Sequence, residues 1–108
     1  MAREITVDQL KKGLDGNEDF VLLDVRTGEE YRKGHISKSV HIPLDVLQNK
    51  VESKLKDKNK KIYVYCLSGS RSGVAAQIMK QMGYSDVSNV QNGLLAWRFK
   101  QYPLVSGN

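Results

Sequence analysis

Ile62-Tyr63-Val64-Tyr65-Cys66-Leu67-Ser68-Gly69-Ser70-Arg71-Ser72 constrains this chain more than any other stretch, because four β-branched or aromatic residues in succession run into the only cysteine. Such an unbroken run is the pattern of a strand covered on both faces, as in a parallel sheet. Beyond the small-residue loop, Ala75, Ile78, Met79 and Met82 recur at i, i+3, i+4 and i+7, the stripe of a helix packed on a sheet. Gly83 stands where a C-terminal cap belongs. The spacing therefore predicts strand, loop and helix. Cys66 falls at the carboxyl end of the strand and faces the start of the helix, the edge at which open α/β sheets bind ligands.

The loop's composition indicates an anion. Ser68, Gly69 and Ser70 are small enough for successive N–H groups to converge on one point, and the helix adds its unpaired N–H groups and positive dipole end. A thiol in such a cradle, with Arg71 close by, ionises more readily than a free cysteine, and the thiolate is the nucleophile. The plainer reading of a lone cysteine is a small buried hydrophobe. Its place in a Ser/Gly loop at a strand end favours the nucleophile.

The rest of the chain frames that loop. A length of 108 residues allows one domain, 1–108, with a single core. One cysteine forms no internal disulfide, a working thiol suits a reducing compartment, and no run has the length of a membrane span, so a soluble cytoplasmic protein is expected. Thr6-Val7-Asp8-Gln9 has capping-box spacing and predicts a short strand around Glu4–Thr6 followed by a helix that turns Leu10 and Leu14 inward. Asn17-Glu18-Asp19 reads as a turn. Phe20-Val21-Leu22-Leu23 then forms a second buried strand that delivers Asp24 and Arg26 to the same edge as Cys66. Thr27-Gly28-Glu29-Glu30 is a second capping box, opening a short helix that Gly34 ends.

Asp24 either orients Arg71 or the loop amides, or is an ordinary strand-end residue. Glu30 either faces the pocket mouth, where it repels anions, or simply completes its capping box. Ser39-Val40-His41-Ile42 gives a strand stopped by Pro43, and Leu44, Leu47, Val51 and Leu55 continue at helical spacing. The lysines at 50, 54, 56, 58, 60 and 61 supply most of the net charge of +5. Without interleaved aromatics they read as a solvated face and not as a nucleic-acid site. His35 and His41, six positions apart and without a second cysteine, do not make a metal site with Cys66. Val87-Ser88-Asn89-Val90 is the last strand, Asn92-Gly93 a turn, and Leu94-Leu95-Ala96-Trp97 a closing helix with Trp97 in the core. Phe99, Tyr102 and Leu104 either cover that core or form an exposed patch. Five strands interleaved with helices make an α/β domain with a central, mostly parallel five-stranded sheet flanked by helices.

The segment Cys66-Leu67-Ser68-Gly69-Ser70-Arg71-Ser72 resembles the active-site loop of rhodanese-type sulfurtransferases. Leu22-Leu23-Asp24-Val25-Arg26 with Glu30-Tyr31, Gly34-His35-Ile36 and Ile42-Pro43 resembles that family's N-terminal signature, and Gly93 with Trp97 its C-terminal one. The resemblance implies a rhodanese-like fold, with Asp24 as a structural buttress of the loop and His35 as a turn-fixing residue. It also implies a cofactor-free reaction in which the Cys66 thiolate takes a sulfane sulfur from a small anionic donor such as thiosulfate and passes it to cyanide or a thiol, including that of a sulfur-relay protein. Leu67 through Ser72 would cradle the persulfide, with Asp24, Arg26, Glu30 and His35 in support. Many single-domain members place Arg where this chain has Leu67, and the two-domain thiosulfate enzymes have basic residues at the places of Glu30 and Ser68. The rivals are a cysteine-dependent phosphatase or arsenate reductase of related fold, and a non-catalytic binding module. Tyrosine phosphatases set one more residue between cysteine and arginine than the four found here, which makes a wider ring of amides.

Overall fold

The computed structural model describes residues 3–108. In chain order the elements are β1 (Arg3–Ile5), α1 (Val7–Asp15), β2 (Val21–Asp24), α2 (Gly28–Lys33), β3 (Val40–His41), a 3-10 turn (Leu44–Val46), α3 (Leu47–Lys54), β4 (Ile62–Tyr65), α4 (Ser70–Gln81), β5 (Val87–Val90) and α5 (Gly93–Phe99). The strands form one sheet in the order β1-β5-β4-β2-β3, and every pairing is parallel. The sheet is thus wholly parallel, and β4 lies at its centre with the cysteine loop leaving its carboxyl end. Among the described residues no helix is long and apolar enough to cross a membrane.

Strand pleating divides the core in two. Leu23, Ile62, Val64 and Cys66 pack with Leu47 and Val51 of α3 and with Ala75, Ala76 and Met79 of α4 on one face. Leu22, Tyr65 and Val90 pack with Val7 and Leu10 of α1 and with Leu94 and Trp97 of α5 on the other. Successive residues of a strand point to opposite faces, so Cys66 continues the Ile62, Val64 side and faces α4.

Both predicted capping boxes form. Thr6 Oγ accepts from the N–H of Gln9 while the Gln9 side chain accepts from the N–H of Thr6, and Thr27 and Glu30 repeat the arrangement at α2. Because Thr6 serves as a cap, β1 ends one residue earlier than the sequence suggests. At the end of α4 the N–H of Gly83 donates to Lys80 O and that of Tyr84 to Met79 O, a Schellman closure. The run from Leu44 to Leu55 is not one helix. Leu44 N–H is drawn to Val25 O, so the segment starts as a 3-10 turn after Pro43 and becomes α-helical at Leu47. Tyr102 and Leu104 pack on the α5 core and Phe99 is exposed, which divides the three apolar residues the sequence left undecided. Trp97 is buried and donates its Nε1–H to Pro103 O. Lys50, Lys54, Lys56 and Lys61 are exposed, while Lys58 and Lys60 pair with Glu52 and Asp19.

Thr6→Ala removes one orphan-donor partner from α1 and leaves everything else in place, so it is expected to cost about 1 kcal/mol. A lowered urea midpoint with an unchanged slope is the signature to look for.

Candidate active site

Cys66 is fully buried, and its sulfur is the focus of the loop. The N–H of Gly69 lies 3.1 Å from Sγ, and the N–H and hydroxyl of Ser72 each lie 3.3 Å away. Burial pushes the thiol up, but hydrogen bonds from the Ser72 hydroxyl and from the N–H groups of Ser72, Gly69 and Ser68 outweigh it and hold Cys66 below its ordinary value of 9.0. The loop's own carbonyls are held from the other side, since Leu94 N–H donates to Cys66 O at 2.9 Å and Leu95 N–H to Leu67 O at 3.0 Å. That approach requires glycine at 93. A Cβ there would sit 2.3 Å from Cys66 O, and Gly93 also has φ +41°. Ser68 and Ser70 share a side-chain hydrogen bond at the exposed rim of the loop.

Arg71 lies near enough to Cys66 for the thiolate to favour its charge, but its hydrogen bonds go to Glu30 and not to the sulfur. Its guanidinium makes a two-pronged pair with Glu30, at 2.7 and 2.9 Å, and the strongest influences lowering the thiol are neutral hydrogen-bond donors. Glu30 completes the α2 capping box, the second of its two readings, and the same carboxylate also reaches across to Arg71 of α4. Arg71 lines a cleft of about 530 Å³ with Val25, Thr27, Pro43, Leu44 and Asp45, and Cys66 is not among its walls.

Asp24 does not touch Arg71 or the loop amides. It pairs in register with Tyr65, which puts its side chain on the sheet face opposite Cys66. There it accepts from the N–H, Nε and Nη2 of Arg26, and Arg26 goes on to Gly34 O at 2.7 Å and Glu30 O at 3.4 Å. The pair therefore fastens α2 to the end of β2. His35, also buried, bonds Tyr31 O through Nδ1 at 2.8 Å and joins Val105 by two main-chain hydrogen bonds. Tyr31 is stacked between the rings of His35 and His41, and His41 Nε2 bonds Arg26 O. Among the described residues no group of three or more His, Cys, Asp or Glu is placed to hold a metal.

Sequence reasoning missed Asn89 and Glu4. Asn89 in β5 accepts from Ser72 and donates to Gly69 O and Glu4, so it contacts the loop from behind. A polar residue in a strand whose four positions are all buried was the available signal.

Comparison with known proteins decides the family. The Rhodanese-like domain family matches residues 6–100. The chain belongs to the rhodanese-like domain family. The protein named "Sulfurtransferase" of Allochromatium vinosum is 32% identical over 106 residues, covering 98% of this chain and 97% of that one. "Putative sulfur carrier protein YrkF" of Bacillus subtilis is 40% identical over 97 residues, covering 90% of this chain but 51% of that protein, so this chain spans about half its length. The solution structure of the rhodanese-like domain of the Anabaena protein Alr3790 superposes with a TM-score of 0.90 at 30% identity, covering 98% of this chain and 80% of that one. This rhodanese-like domain thus has relatives named for transferring or carrying sulfur.

Asp24→Ala strands Arg26 as an unpaired buried charge and is expected to cost about 3–5 kcal/mol in chemical denaturation. The Arg71 hydrogen bonds, aided by those from Thr27, hold Glu30 at about 2, against an ordinary 4.5. A depressed carboxyl stabilises the fold above its unfolded value, so this contribution is complete above 4.5 and is lost as the pH falls toward about 2. Glu30→Gln is expected to flatten that part of the acid limb in stability measured against pH.

Proposed function

We propose that this rhodanese-like domain is a sulfurtransferase that carries a sulfane sulfur on Cys66 as a persulfide. The observation that carries the reading is the convergence of two main-chain N–H groups and one hydroxyl on a single buried sulfur. Donors placed this way stabilise a negative sulfur without a metal and without a net positive charge.

With thiosulfate as donor, the Cys66 thiolate attacks the outer sulfur, the new Sγ–S bond forms as the donor's S–S bond breaks, and sulfite leaves with the electron pair. The negative charge then resides on the outer sulfur of the persulfide. A thiolate or cyanide attacks that sulfur and releases Cys66 as thiolate, ready for the next donor. Both leaving groups are stable anions, so no general base is needed. Arg71 is already matched by Glu30, which leaves little unpaired positive charge to hold an inorganic dianion. A thiol, free or on a sulfur-relay protein, is the acceptor this reading favours, in keeping with relatives named as sulfurtransferase and sulfur carrier.

Intact mass after incubation with thiosulfate is expected to show the gain of one sulfur atom, reversed by cyanide or a thiol. Cys66→Ser is expected to keep the fold and lose both the adduct and all thiosulfate:cyanide turnover. Hydrolysis of an aryl phosphate that depends on Cys66, with no persulfide by mass, overturns the proposal in favour of a phosphatase.

A further inference from the structure

A hydroxyl group has one proton to give, and Ser72 stands between two acceptors. Its Oγ lies 2.5 Å from Asn89 Oδ1 and 3.3 Å from Cys66 Sγ, and both Ser72 and Asn89 are buried. The far side of the amide decides which way Asn89 faces. Its Nδ2 is 3.0 Å from Glu4 Oε2 and 3.2 Å from Gly69 O, and a carboxylate and a carbonyl only accept, so the amino group points to them and Oδ1 points to Ser72. Two oxygens at that separation need a proton between them, and only Ser72 has one. While its proton goes to Asn89, Ser72 presents lone pairs to the sulfur, which suits a thiol that donates its own S–H. When Cys66 ionises, the hydroxyl must swing to the thiolate, and Asn89 Oδ1 loses its partner in a buried site where that is costly.

We propose that Asn89 is a positioning residue for sulfur transfer, which competes with Cys66 for the single proton of Ser72 and so sets how readily the sulfur loses its own. The proton released from Sγ passes to solvent, whereas the Ser72 proton only rotates about the Cβ–Oγ bond. In the persulfide Sγ is uncharged and a weak acceptor, so the hydroxyl returns to Asn89 while the negative charge sits one atom farther out. Asn89 therefore penalises the empty thiolate and leaves the loaded persulfide unaffected, which tilts the resting protein toward the loaded form. Glu4, exposed on edge strand β1, holds the amide in place and polarises it from behind. The other charged groups around Cys66 are Arg71 of α4 with Glu30 of α2, and the Asp24–Arg26 pair at the end of β2 on the opposite face. The mechanistic meaning of this assignment rests on the sulfurtransferase reading, but its test requires no sulfur donor and so succeeds or fails separately.

The test is the pH dependence of Cys66 alkylation by iodoacetamide, followed by intact mass, for the parent, Asn89→Ala, Ser72→Ala and the double variant. Freed from Asn89, Ser72 donates to sulfur alone, and the midpoint in Asn89→Ala is expected to fall by about 0.5 to 1 pH unit. Ser72→Ala is expected to raise the midpoint, and in that background Asn89→Ala is expected to have no further effect. A rise in Asn89→Ala, or the same shift in both backgrounds, overturns the proposal. Because Asn89→Ala also loses the tie to Gly69 O, Glu4→Gln gives a second reading on the exposed edge while keeping an acceptor for the amide. It is expected to lower the midpoint by less, and a shift that persists undiminished in the Ser72→Ala background counts against the proposal.

Discussion

A carboxylate and a guanidinium held out of water at the end of β2 are the interaction on which the site's architecture depends. Asp24 and Arg26 are 0% and 2% exposed, and each is fully occupied by the other and by main-chain groups. Such a pair adds little net stability, since desolvation offsets most of the attraction, but losing one member leaves a stranded charge. Its value here is positional. Arg26 reaches Gly34 O and Glu30 O and thereby fixes α2 against the sheet edge, α2 presents Glu30, and Glu30 grips Arg71 in the first turn of α4. The same turn supplies the N–H and hydroxyl of Ser72 to Cys66.

The cysteine loop is held at both ends of its chemistry. The first turn of α4 donates to the sulfur, and the first turn of α5 donates to the carbonyls of Cys66 and Leu67. Those two grips face in opposite directions, so the loop's N–H groups are left aimed inward at Sγ while its carbonyls are turned away from the charge that develops there. Arg71 acts as a fastener between helices, and most of the electrostatic work at sulfur falls to short-range hydrogen bonds. The main-chain N–H donors are already in place when negative charge develops at Sγ, and only the Ser72 hydroxyl has to turn.

Local patterns carried most of the fold. The apolar runs of β2 and β4, the capping boxes at Thr6 and Thr27 and the Gly83 closure each involve residues within a few positions of one another, and they appear where the sequence places them. Parallel pairing followed from strands apolar on both faces, and the position of Cys66 at the carboxyl edge followed from that. Long-range partners account for the differences. The segment after Pro43 kept helical spacing but bent into a 3-10 turn, because Leu44 N–H is claimed by Val25 O, a partner nineteen residues away that periodicity does not reveal. Asp24 reaches the expected edge, but which face its side chain takes depends on register with β4, and that leaves it with Arg26 and not with Arg71 or the loop amides.

What the sequence by itself determined is the α/β order of elements, the strand-loop-helix around Cys66 and the family, because hydrophobic period, capping spacing and the loop motif are properties of neighbours in the chain. Only the tertiary structure decided which side chains complete the site. Arg71 meets Glu30 across 41 positions, Ser72 meets Asn89 across 17, and Asn89 meets Glu4 across 85. Each of these partners is an unremarkable polar residue in its own segment. They come together because the sheet order β1-β5-β4-β2-β3 sets β5 beside the central strand and β1 beside β5, so that Asn89 and Glu4 stand in line behind the loop that β4 delivers.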